Sequence, residues 1–546
     1  MPTWLRRDDG SPTGGLHAAA WRQFLICCFL AIFGVRAFFV ERFGASVAQV
    51  DEWEATGKEV LSAWDHGTFS TAALFQAHNG DHRIVATRLW EIFWYRVNGA
   101  WDPKLVMVAN ALVYALAATM LTHLLVHGLP RRRFPAGAAF AALFAFPFGY
   151  QNLLWGFQSQ FDFFLLAVAG GWLALGCGRP VLALVVAAFA PFTLGAGPVL
   201  AASYLAHAAA ARLNRAWSTA QTIGFSVCAV AIAAAGASLR GSLAAPLGTL
   251  HDQAYTLLKL LAWPYSNLVL LVSELPASLR LIPAKLVNFP SAEHSALNGM
   301  AEIFREHPPV LVAVLAALAV VMVLPLGILL WRVLRERRMP ECAWGPVCLG
   351  LFAALMQVAS AIARSNELLV QTRYIDLVLL TGFASGAALV VIALRSKTHR
   401  RLAFVWGILV APGYLATMGA TLIQLRNSHL EQWVPAVRAY FPSHDRALLP
   451  QNTNRQLPIL EQDPSAFAAL LDDPAMVLPL SIVDPARDPR PVARFAFAIG
   501  RWGLAIAVAA LLAGVAIVRR SRRPRNVPSA SAGGSGDPAL RQSAPL

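Results

Sequence analysis

Long apolar runs separated by short arginine-rich loops constrain this chain more than any other feature. Stretches of roughly 17–23 apolar residues recur along it, each long enough to cross a bilayer core of about 30 Å as a helix. Lipid cannot satisfy free backbone polar groups, so only helices or closed barrels span it. The runs are continuous rather than alternating, which selects helices. The expected fold class is all-α, a polytopic transmembrane helical protein. With 57% hydrophobic and 14% charged residues in 546, a soluble chain is excluded.

The net charge of +15 raises the question of a nucleic-acid partner. The cations argue against one, because they gather in short loops between apolar runs: "RRRF" at 131–134, "RLNR" at 212–215, "RVLRERR" at 332–338, "RSKTHRR" at 395–401 and "RRSRRPR" at 519–525. That is the positive-inside pattern, which orients a membrane protein. Twelve spans are expected, at about 18–40, 104–127, 134–150, 160–177, 180–193, 196–212, 218–239, 309–331, 341–363, 375–395, 402–423 and 494–518. This parity places both termini and every arginine-rich loop in the cytoplasm.

The chain then divides into a cytoplasmic N-terminus (1–17), a transmembrane core (18–423), an outer segment (424–493), a last span (494–518) and a disordered basic tail (519–546). Within the core, 41–103 and 240–308 are long outer loops. The run at 256–275 is read as interfacial or re-entrant, since another span there would invert every later loop. The first run is too long for a signal h-region and is read as an uncleaved helix. The six cysteines fall in or at the ends of apolar runs, with neither metal-ligand spacing nor a disulfide framework.

The polar residues that invite a functional reading lie outside. The first outer loop carries nine of the 30 acids. From Trp53 onward, Trp53, Val60, Leu61 and Trp64 recur near helical spacing, and "RIVATRLWEIFWYRV" at 83–97 forms a second such stretch. Both are expected to be amphipathic helices on the membrane surface, with indoles at the interface. Asp51 and Glu52 open the first helix, where acids are also stabilised by the helix dipole alone. In "FQAHNGDHRI" (75–84), His82 and Arg83 follow an Asn-Gly turn, suited to an anion or to a plain polar turn. His78, Asp81 and His82 form only a weak metal-ligand pattern, with no fourth ligand.

"YQNLLWGFQSQFDFF" (150–164) crowds Asn152, Trp155 and Gln158 at one helix–loop–helix junction. Amides beside an indole suit a sugar ring; aromatic anchoring at the interface is the alternative. "ARSNELLVQTRYIDL" (363–377) puts Arg364 and Arg373 outside, against the positive-inside trend, so each wants an anion partner. That partner is a substrate phosphate, or a helical neighbour such as Glu367 or Asp376. No phosphate loop, nucleophile elbow, zinc helix or CxxC occurs. No regular pattern of mid-span charge is evident, and Arg22 and Arg36 can snorkel from the ends of the first helix.

Taken together, "DEW" (51–53), "NGDHRI" (79–84), "NLLWGFQSQF" (152–161) and "TRY" (372–374) resemble, in order, the outer motifs of the GT-C superfamily of membrane glycosyltransferases, within an uncharacterised bacterial group. The layout is similar too: a long first outer loop with surface helices, then many spans. Gly80 precedes Asp81 where the family pattern sets the acid directly after asparagine.

The resemblance implies a GT-C-like fold in the bacterial inner membrane with an extracytoplasmic active face. It implies a polyprenyl-phosphate-linked sugar as donor and an envelope glycan, lipid or protein as acceptor. Asp51 would be the base, assisted by Glu52. Arg373, Tyr374, Arg364, His82 and Arg83 would hold the donor phosphate. Trp155, Gln158, Asn152 and Asp81 would hold sugar or acceptor. Transfer would invert the anomeric carbon. No cofactor is required, although Asp51 and Glu52 can take a divalent cation. The competing class is a transporter or flippase of a lipid-linked or hydrophobic substrate. Against it stand the lack of a visible repeat and the gathering of polar groups at one face.

Overall fold

The computed structural model describes residues 12–48, 52–78, 82–129, 132–239, 247–266, 308–365, 372–394, 397–426, 430–449, 468–469, 471–473, 477–478 and 489–522. Asp51 and Asp81 lie outside these residues, as do most of the N-terminus, most of the tail and the end of the 256–275 run.

The helices used below are α1 (Pro12–Phe43), α2 (Val85–Asn98), α3 (Pro103–Val126), α4 (Arg133–Ala145), α5 (Ser159–Gly176), α6 (Pro180–Phe189), α7 (Gly197–Ser203), α8 (Leu205–Leu213), α9 (Thr219–Ser238), α10 (Leu250–Leu261), α11 (Pro308–Glu336), α12 (Glu341–Ala363), α13 (Thr372–Ala393), α14 (Lys397–Arg426), α15 (Leu430–Ser443) and α16 (Pro491–Arg522). Among the described residues there is no strand, only one isolated bridge between His78 and His82. Among the described residues nine helices are long and apolar enough to cross a membrane, which makes this a multi-pass membrane protein. They coincide with nine of the twelve expected spans.

The other three runs are shorter or interrupted. α4 has 13 residues, about 20 Å at 1.5 Å per residue. The run at 180–193 becomes α6 and a 3₁₀ turn at Ala190–Phe192 that contains Pro191. The run at 196–212 becomes α7 and α8, separated at Tyr204.

Local signals set several boundaries. Asp102 caps α3, its side chain accepting from the Lys104 and Leu105 amides at 3.1 and 3.4 Å, with Pro103 in the first turn. Ser218 and Gln221 form a capping box at α9. Gly99, at φ 66°, ends α2 in the left-handed conformation.

The first and last spans pair closely. A Cβ on Gly34 would meet the Gly503 carbonyl oxygen at 2.4 Å, and one on Gly503 would meet the Gly34 oxygen at 2.3 Å. Small residues here let two backbones touch, as helices in lipid require when apolar burial supplies no drive between them.

The 41–103 and 424–493 segments pack on each other. Trp53–Ser62 winds as a π-helix, a rare form that recurs at functional sites. Its Trp53 is only 4% exposed, and the indole N–H donates to the Ala48 carbonyl at 2.8 Å. The surface position expected for this indole is therefore corrected: Trp53 packs edge-on against Trp101 and under Val437, Tyr440 and Leu471 of the 424–493 segment. Ser62 donates to Asp473 at 2.6 Å, and the Trp101 amide donates to the Val477 carbonyl at 2.8 Å.

α2 has the opposite character on its two sides. Leu89, Phe93 and Val97 form an exposed stripe at i, i+4 and i+8, suited to lipid. Arg88, Glu91 and Tyr95 are buried on the other side. α10 begins before the 256–275 run and buries Lys259, whose ammonium lies 5.1 Å from the Tyr255 ring centroid.

Candidate functional site

The candidate site forms where the 41–103 segment meets the junction between α4 and α5. Glu52 is fully buried, and its carboxylate rests against Gly156; a Cβ there would lie 2.6 Å from Glu52 Oε1. The turn carrying Gly156 is held by α3, for Asn110 Nδ2 donates to the Gly156 carbonyl at 2.7 Å. Trp90 of α2 donates in turn to Asn110 Oδ1 at 2.9 Å. Ser159 donates to Thr87 at 2.9 Å and ties α2 to the start of α5.

Glu91 is the second fully buried acid of this region. Burial, and then the neighbouring charge of Glu52, raise its carboxyl well above the usual value of 4.5, opposed by the nearby Trp101 indole. Burial beside Glu52 thus favours the protonated form of Glu91. Burial also raises the capping Asp102 to about 6, although Ser46 and the Lys104 and Leu105 amides oppose it.

The cations predicted to meet an anion come together around Tyr374. The Arg364 guanidinium lies 5.6 Å from the Tyr374 ring centroid and that of Arg373 lies 5.4 Å from it. Arg364 Nη2 also stands 3.4 Å from His82 Nε2, which brings a fourth sequence-predicted residue into the group. Phe161 packs edge-on against Tyr374 at 5.7 Å. Among the described residues no carboxylate forms an ion pair with Arg373, and its Nε is buried without a hydrogen-bond partner. The proposed helical pair of Arg373 with Asp376 does not form. Asp376 instead accepts from Asn152 Nδ2 at 2.9 Å and from the Tyr114 hydroxyl at 3.3 Å.

Asn152 joins the two halves, since its amide also donates to the Arg373 carbonyl at 2.8 Å. Gln151 Oε1 accepts from the Arg373 amide at 3.2 Å. The motif at 150–154 thus fixes the first turn of α13, and with it Arg373 and Tyr374. Gly149 makes room, because a Cβ there would strike Asp376 Oδ2 at 2.4 Å.

Other predicted residues stand elsewhere or are enclosed. Arg83 Nε donates to the Leu239 carbonyl at 2.8 Å and its Nη1 to the Phe75 carbonyl. Gln158 is 1% exposed and accepts from Gln160 at 3.2 Å. Trp155 is half-buried against the cluster containing Leu153 and Leu154. His78 packs edge-on against Phe157 at 5.2 Å. Asp51 and Asp81 fall outside the described residues, and among those described no group of three or more His, Cys, Asp or Glu is placed to hold a metal ion.

Beneath the site the structure corrects the reading of Arg36. Arg36 does not snorkel: it is 1% exposed, with its guanidinium 3.5 Å over the Tyr114 ring. Two of its nitrogens, Nε and Nη1, have no hydrogen-bond partner among the described residues. Asp162 on α5 and Asp376 on α13 both feel its charge. By helical rise these groups sit roughly 6–10 Å below the ends of α13 and α1. A charged residue inside an apolar run was the available signal for this cluster, as was a lone Asn110 within α3.

Comparison of the chain with family models, with curated proteins and with solved structures finds no match in any of the three.

Proposed function

We propose that this protein is an integral membrane glycosyltransferase, GT-C-like with twelve spans in the bacterial inner membrane. It moves a sugar from a polyprenyl-phosphate donor to an acceptor on the extracytoplasmic face. The observation that carries the reading is the grouping of Arg373, Arg364 and His82 around Tyr374 at the end of α13, one hydrogen-bonded junction away from the turn that seats Glu52.

The chemistry follows from these positions. A lipid phosphate gathers negative charge as it leaves the anomeric carbon, and fixed cations in a water-poor site stabilise such charge best. Arg373 is the principal donor, with Arg364 and His82 beside it. Asp51, adjacent in sequence to Glu52, accepts the acceptor's proton as the new C–O or C–N bond forms. Glu52 orients that base. The phosphate departs without needing a proton, and attack opposite to it inverts the anomeric carbon. Asn152 and Gln151 act on the site through the backbone of Arg373.

A second reading is transport of a lipid-linked substrate. Its specific support is the buried set of Arg36, Asp162 and Asp376, since ionisable groups inside spans mark transport pathways. Purified protein in vesicles, given labelled lipid-phosphate sugar on one side, separates the two. Glycosylated acceptor with release of lipid phosphate supports the transferase. Movement of intact donor across the bilayer without release contradicts it.

A further inference from the structure

A groove of about 410 Å³ opens at the opposite, arginine-rich end of the bundle, between α4, α13 and α14. Arg132 and Arg400 line its mouth, while Ala136, Leu389, Val390 and Phe404 are among the residues that form its walls. Arg132 immediately precedes α4, and Arg400 lies in the first turn of α14. Both cations therefore stand where spans end, at the level of lipid headgroups. From there the groove follows α13 from Leu394 to Leu389, about 7 Å toward the membrane interior at 1.5 Å per residue.

The charge of this mouth is one-sided. The lining contains two guanidiniums and no carboxylate, and the flanking segments 128–135 and 394–401 contain no acid at all. Arg332 of α11 stands 2.7 Å from His399 in the first turn of α14, which brings one further cation beside Arg400. The walls are apolar and open to lipid, with Phe404 70% and Leu394 50% exposed. A ligand matching both features carries a phosphate on an acyl chain.

We propose that this groove is a seat for an anionic phospholipid of the leaflet at the basic end. Its phosphate lies between Arg132 and Arg400, and an acyl chain lies against Leu389 and Phe404. Basic pockets between spans recognise anionic headgroups in this way. The site is remote from Tyr374 and stands independently of the glycosyltransferase reading.

The test uses the full chain in vesicles of phosphatidylcholine and phosphatidylglycerol, three to one, with a photoactivatable acyl chain on either lipid. The expected result is preferential labelling by phosphatidylglycerol, mapped to 132–136 and 389–404. Arg132→Gln with Arg400→Gln lowers that preference about fivefold per arginine and leaves phosphatidylcholine labelling unchanged. Ala403→Trp fills the groove with both arginines intact and removes labelling by either lipid. Equal labelling of the native protein by the two lipids overturns the proposal, as does native preference in the double variant or adducts confined to other helices. If the glutamine variant does not fold, the native ratio and the groove-filling variant decide.

Discussion

Glu52 occupies the space where a side chain on residue 156 would begin, its Oε1 only 2.6 Å from the Cβ that Gly156 lacks. The contact couples the first outer loop to the α4–α5 junction. Gly156→Ala is expected to push the carboxylate aside rather than break the fold, because the clashing atom is the end of a flexible side chain. A shift of this size costs about 1–3 kcal/mol in a packed interior, but a 1 Å misplacement near the chemistry costs on the order of 100-fold in rate. Thermal melting beside transfer rate measures both. A large loss of stability with unchanged rate per folded molecule would contradict the role given to Glu52.

Glu91 sets a pH dependence of stability. Its folded carboxyl is raised above the ordinary 4.5, so between that value and its raised value the folded state holds a proton that the unfolded state has lost. Stability is fully present below 4.5 and falls as pH rises through that window. Asp102, raised from 3.8 to about 6, adds a smaller decline of the same sign. Glu91→Gln is expected to flatten the fall in melting temperature measured in detergent from pH 5 upward. An unchanged slope would show that Glu91 is ionised in the folded protein.

Removal of Arg36 leaves Asp162 and Asp376 without their nearby buried cation. Their link to Arg36 is through charge rather than a direct ion pair, so the cost of removing one partner of a buried ion pair, about 3–5 kcal/mol, is an upper limit, and replacing all the charges together costs far less. Arg36→Met should therefore lower the melting temperature sharply, and Asp162→Asn with Asp376→Asn should restore much of it. A mild effect of Arg36→Met alone would indicate that the guanidinium serves only to pack on Tyr114.

Much of the bundle is legible in the sequence, because lipid imposes a minimum length on every apolar run. Nine helices among the described residues follow directly from that demand. The breaks at Pro191 and Tyr204 are not visible in apolar content, which does not change across them. The burial of Trp53 depends on Val437, Tyr440 and Leu471, nearly 400 residues later, and local periodicity cannot supply such a partner. The clustering of Arg364, Tyr374 and Arg373 was legible because arginines away from the basic loops depart from the charge pattern. Gln158 was less so, since an amide reads the same whether it faces a ligand or a neighbouring Gln160. Gly149 and Gly156 matter for the carboxylates they admit, and a sequence does not reveal which side chain fills the space beside a glycine.

The central claim is that a carboxylate of the first outer loop and Arg373 act on one lipid-phosphate donor. The most direct measurement is the rate of labelled sugar transfer from polyprenyl-phosphate donors by native, Asp51→Asn and Arg373→Gln proteins at equal folded abundance. Loss of a general base is worth about 10²–10⁴-fold, so Asp51→Asn should lose transfer by that factor while still binding donor. Arg373→Gln should weaken kcat/KM roughly 10–100-fold, the value of a charged hydrogen bond of about 1.5–3 kcal/mol. Transfer at the native rate by both variants would contradict the account.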